Sequence, residues 1–150
     1  MAHYAKVITD NNISGIGSTI TDNVVTEVIV ADASFFNDFV DTVPGRWIWT
    51  VKGMVGGVLY NSDGTQASDQ SGVGTMRYNF AGIGYEYDIN NDVFHDEQPH
   101  ESWTIDKTTY TWKPPVPKPD TRSWAWNETI YQNAVGAGTS TGAAWIFVDN

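Results

Sequence analysis

The proline run Pro114-Pro115-Val116-Pro117-Lys118-Pro119 limits this chain more than any other stretch. Proline brings no N–H to a ladder, so the run cannot be a central strand and is expected to be a stiff, extended connector. Together with Pro99 it spaces out three short stretches of one plan within residues 80–131. Each has an aromatic or aliphatic residue, then Asp or Asn, then a polar turn, then an aromatic. Tyr87-Asp88 leads to Phe94, Ile105-Asp106 leads to Tyr110 and Trp112, and Trp126-Asn127 leads to Tyr131. Asp and Asn side chains accept hydrogen bonds from the backbone two residues on and so open turns. Rings on either side then pair across strands, each pair contributing about 0.5–1.5 kcal/mol beyond area burial. The pattern predicts three aromatic β-hairpins on Pro-rich spacers.

The first half reads differently. Val24-Val25-Thr26-Glu27-Val28-Ile29-Val30 is β-branched almost throughout and predicts a strand. Weaker strands are expected over residues 4–8, 46–51, 56–60, 76–80 and 85–89, with a last one over 143–148. Residues 11–21 and 65–74 read as polar loops, and 136–142 as a small, flexible stretch. Phe35, Phe36, Phe39, Val40 and Val43 recur at helical spacing behind the candidate cap Ser34, so one short helix is expected at about 34–42, ended by Pro44-Gly45. The expected fold is mainly β. A β-rich core domain with one helix spans 1–79, and an aromatic, Pro-spaced region spans 80–150 and leans on that core or on a partner, because isolated hairpins are marginal in water.

Composition narrows the function. The net charge is −10, from 18 Asp and Glu against 8 Lys and Arg without a cluster, so neither nucleic acid nor an anionic membrane is an expected partner. With no Cys there is neither a disulfide framework nor a thiolate nucleophile. No apolar run approaches the roughly 20 residues that span a bilayer. The N-terminal residues lack the basic-then-apolar order of a signal peptide.

Each chemical constellation competes with a plainer reading. His95-Asp96-Glu97-Gln98-Pro99-His100-Glu101 has metal-ligand residue types, but its spacing fits no zinc pattern and a proline interrupts it. Asp88-x-Asn90-x-Asp92 opens like a calcium loop, yet Val93 and Pro99 stand where such a loop needs Gly and Glu, so a turn is expected. The glycine pairs at 72/74 and 82/84 lack the third glycine of a phosphate loop. No Ser stands in a nucleophile elbow. No catalytic residue, cofactor or metal is therefore expected, and the chain is not expected to be an enzyme. Seven Trp, seven Tyr and six Phe remain. They fit a packed aromatic ladder, a protein-docking face or a sugar-stacking surface. The residues picked out for partner binding are Trp103, Tyr110, Trp112, Trp124, Trp126 and Tyr131.

Several stretches carry a resemblance. They are Met1-Ala2-His3-Tyr4-Ala5-Lys6-Val7, Val24 to Val30, Gly56-Gly57-Val58-Leu59-Tyr60 and, above all, Arg77-Tyr78-Asn79-Phe80-Ala81-Gly82-Ile83-Gly84-Tyr85-Glu86-Tyr87-Asp88. Pro99, Ser102-Trp103, Trp112, Pro115-Val116-Pro117 and Trp126-Asn127-Glu128 continue it. The chain resembles a family of short virion structural or uncharacterised proteins of marine tailed phages, cyanophages especially. It departs where relatives have Trp six residues after the third Asn, a position held here by Asn133, and it runs on to Asn150. The resemblance implies a virion protein made in the host cytoplasm and present in symmetric, multi-copy or homo-oligomeric form. The expected role is capsid decoration, docking on head proteins through aromatic β surfaces. The alternative is a tail component: a fibre, a fibre adaptor or a receptor-binding tip, with glycan as a ligand.

Overall fold

A computed structural model describes residues 1–8, 23–42 and 45–149. The chain is mainly β and forms two compact units: Met1–Glu97 with Lys107–Thr111, and Gln98–Asp106 with Trp112–Asn150. The division expected at 79/80 falls inside the first unit. The loop expected over 11–21, and Val43 and Pro44, lie outside the described residues.

In chain order the first unit contains β1 (Ala2–Val7), β2 (Val25–Ala31), α1 (Phe35–Asp38), β3 (Arg46–Thr50), β4 (Met54–Val55), β5 (Val58–Leu59), β6 (Glu86–Asp88) and β7 (Val93–His95). β1 is the middle strand of an antiparallel sheet of order β2-β1-β3, with Ala5 opposite Val28 and Ile48. The pleat sends Ala5, Val7 and Ile48 to one face, where they meet Val25, Ala81, Tyr87 and Phe94 in the core. The β6–β7 hairpin realises the first aromatic hairpin, with Tyr87 opposite Phe94. The Asp88 carboxylate accepts from the Asn90 and Asn91 amides at 3.0 and 3.1 Å, so the Asp88–Asp92 stretch is a turn. Gly56-Gly57 joins β4 to β5 with both φ positive (59° and 86°), the two-residue turn whose twist suits a hairpin.

The sheet's other face carries Tyr4, Lys6 and Trp47. Phe36 packs on Tyr4 (4.7 Å) and on Trp47 (5.8 Å). Lys6 is buried, with Nζ 2.6 Å from the Asp41 carboxylate and 5.8 Å from the Trp47 ring. This pair corrects the helix expected at 34–42: α1 has four residues, and Phe39 is already extended. Leaving the helix there lets Asp41 reach both Lys6 and the Trp47 indole, 3.1 Å away.

The strand expected over 76–80 is a turn instead. Arg77 and Tyr78 both have positive φ (58° and 64°), uncommon for non-glycine residues. Arg77 is held by Asp92 at 2.7 Å and by the Trp49 carbonyl at 2.9 Å. Next to them, buried Asn79 donates to the Phe94 and Tyr110 carbonyls (2.8 and 3.0 Å) and accepts from the Gly56 amide at 2.9 Å. Ala81 donates to Thr50 Oγ1 at 2.9 Å.

The remaining elements are β8 (Thr104–Asp106), β9 (Thr111–Lys113), β10 (Trp124–Trp126), α2 (Glu128–Ala137) and β11 (Trp145–Phe147). β8 and β9 pair as the second expected hairpin, and β10 pairs with β11. The third expected hairpin does not form. After Trp126 the chain enters α2, the longer of the two described α-helices. The Asn127 side chain accepts from the Ile130 amide at 2.9 Å as an N-cap. Gly138 ends the helix in the left-handed conformation (φ 67°), so the stretch expected to be flexible is partly a helix terminus.

Candidate docking surfaces

Unit 2 turns its rings on itself. Trp126 packs edge-on against Trp145 (5.1 Å) and Trp103 (6.1 Å), and Tyr131 of α2 lies 5.3 Å from the Trp126 ring. Trp145 is buried and donates its indole N–H to the Val116 carbonyl at 2.8 Å, which anchors the proline run to β11. Glu128, in the first turn of α2, collects four hydrogen bonds: from the Ser102 amide (2.8 Å) and hydroxyl (2.7 Å), the Trp126 indole (2.7 Å) and the Gln132 amide (3.0 Å). Desolvation raises its pKa, but the Trp126, Ser102 and Gln132 donors outweigh it and hold the carboxyl at about 2. The Trp103 indole N–H is buried with no acceptor among the described residues.

The six residues picked out for partner binding are all half-buried. Trp103, Trp126 and Tyr131 belong to this cluster. Trp124 packs on Phe147 (5.3 Å), donates to Asp120 (2.9 Å) and lies beneath the Arg122 guanidinium. Trp112 sits in β9. Tyr110 belongs to unit 1, its ring edge-on to Tyr78 at 4.8 Å.

The outward apolar surface of unit 1 lies elsewhere. A groove of about 910 Å³ opens between the end of β2 and α1, lined by Ile29 and Ala31 and by Phe35, Phe39 and Val40. Val40 is 82% exposed. Phe35 and Phe39 stack on each other at 4.8 Å, and Phe39 also lies edge-on to Trp47 at 6.2 Å. Asp32 and Asp38 also line the groove, and among the described residues no Lys or Arg does. The Phe spacing was the sequence signal for this surface. Of the apolar residues at helical intervals the described ones are Phe35, Phe36, Phe39 and Val40, more than a four-residue helix can bury, and Phe35, Phe39 and Val40 are left exposed.

The His95–Glu101 stretch does not act as one cluster. His95 lies 3.6 Å from Glu86 in unit 1, whereas the His100 ring lies tilted 5.5 Å from that of Trp103 in unit 2. Among the described residues no group of three His, Cys, Asp or Glu is placed to hold a metal ion, and no helix is long and apolar enough to cross a membrane. No protein-family model, curated protein or solved structure matches the chain.

Proposed function

We propose that this chain is a structural, non-enzymatic component of a tailed-phage particle, a multi-copy decoration protein bound to head proteins. The observation that carries the reading is the outward apolar strip of unit 1, where Phe35, Phe39 and Val40 stand exposed along the groove beside Ile29 and Ala31. Apolar side chains exposed next to one another are the material from which docking faces are built. An interface of about 800 Å² on each partner is the standard size for specific docking. The acidic composition suits a protein whose remaining surface faces solvent in a crowded array, since net charge far from zero opposes self-association. The phage setting itself rests on the resemblance of the Asn79-Phe80-Ala81-Gly82-Ile83-Gly84-Tyr85 region.

Quantitative mass spectrometry of purified particles tests this. A copy number that follows the head lattice, with loss of heat resistance when the protein is stripped off, is expected. A handful of copies confined to the tail moves the chain to the fibre or adaptor role. Its absence from particles overturns both.

A further inference from the structure

Resting on that docking reading, we infer that the free edge of β2 accepts a strand. An extended segment of a partner protein adds to the sheet there. It has small apolar side chains at alternate positions and a Lys or Arg at one end.

β2 is an outer strand of its sheet. Only its beginning is taken: Val25 donates to the Tyr85 carbonyl at 2.8 Å and accepts from the Gly84 amide at 2.9 Å. Beyond it, among the described residues, the outward backbone groups of Thr26 to Ala31 have no partner. Proteins that must keep such an edge unpaired protect it with Pro, Lys, a covering loop or brevity. In β2 a bulge and the exposed Glu27 guard only the beginning, whereas Val28-Ile29-Val30-Ala31 carries no charge and no Pro. An added strand lies about 4.8 Å away and sends alternate side chains to each face. On the α1 side those side chains come down beside Ile29 and Ala31, where the groove lies. Backbone pairing thus supplies affinity and the groove supplies selectivity.

Charge selects the occupant. Asp32 and Asp38 line the groove without a neighbouring Lys or Arg, and Asp38 has no ion-pair partner among the described residues. Asp32 meets only the N-terminal ammonium, 3.6 Å away and exposed. A basic-ended segment complements this rim. A second copy of a chain of net charge −10 does not.

The test uses ¹⁵N-labelled full-length protein and a capped seven-residue peptide, Lys-Val-Thr-Val-Thr-Val-Thr. The controls are the same peptide with Glu in place of Lys and an N-methylated form that cannot pair. The amides from Thr26 to Ala31 are expected to shift and to exchange more slowly. The Lys peptide is expected to bind about 2–5-fold tighter than the Glu peptide, the size of one exposed ion pair. Asp38→Asn should reduce that preference. Unmoved β2 amides at millimolar peptide, or equal response to the N-methylated form, overturn the proposal. So do shifts of the same amides with protein concentration alone, which would make the occupant a second copy. These outcomes are read on the isolated chain, so they stand apart from whether particles contain the protein.

Discussion

The two units put their aromatic residues to opposite uses. In unit 2 the indoles of Trp103, Trp126 and Trp145 face one another, and Glu128 ties the segment before β8 to the start of α2. In unit 1 the core is made by small and β-branched residues with Tyr87 and Phe94, while Phe35 and Phe39 remain at the surface. A count of rings therefore says little about docking. What matters is whether other elements are present to cover them. Unit 2 has α2 and the proline run for that task, whereas the aromatic residues around α1 outnumber what four helical residues can cover.

The largest break in this contrast should come from Trp145→Ala. It removes a buried ring and its bond to Val116, and a loss of about 3–5 kcal/mol is expected, read as chemical unfolding of unit 2. A comparable loss, about 3–5 kcal/mol, is expected in unit 1 for Asp41→Ala, which leaves the buried Lys6 ammonium without its carboxylate. Lys6→Met should cost less, because the Asp41 side chain it strands is 24% exposed and stays hydrated. Urea titration of the two variants side by side checks that order.

Acid separates the units more gently. The Glu128 carboxyl sits at about 2 in the folded chain, below its ordinary 4.5. Its contribution is fully present above that ordinary value and is lost as pH falls towards 2. Indole emission should report loosening of unit 2 across that window, and Glu128→Gln should flatten the response. Asp92 in unit 1 is also depressed: burial raises its pKa, but the Tyr87 hydroxyl and Arg77 outweigh that. Its stabilisation fades in the same direction. The smallest change in stability, within about 0.5 kcal/mol, is expected for Val40→Ser, since exposed positions seldom matter to folding. The same substitution should weaken particle binding, and unchanged binding would remove the groove from the docking surface.

The sheet was legible because β1, β2 and β3 carry the alternation and β-branching that a half-buried strand needs. The hairpin at Tyr87 was legible because Tyr87 before the Asp88 turn and Val93-Phe94 after it are the ring and β-branched residues that pair across strands. The helix at Glu128 was not, and the reason is chemical. An Asn that opens a turn and an Asn that caps a helix make nearly the same bond to a backbone amide ahead, so Asn127 fits either. Gly138, placed to end a helix, was the discriminating sign. The positive φ angles of Arg77 and Tyr78 had no signal at all, being imposed by Asp92, the Trp49 carbonyl and the backbone around them. What surrounds each of the six rings picked out for partner binding was likewise not legible, because a sequence lists rings without saying what packs on them.

Asn79 has a further consequence, for the order of events during folding. One carboxamide joins backbone 23, 15 and 31 residues away, so three loops meet at a single side chain. Contacts this distant are entropically slow to close. The junction completes only when its last loop arrives, which makes it a late lock on unit 1 rather than a nucleus for it.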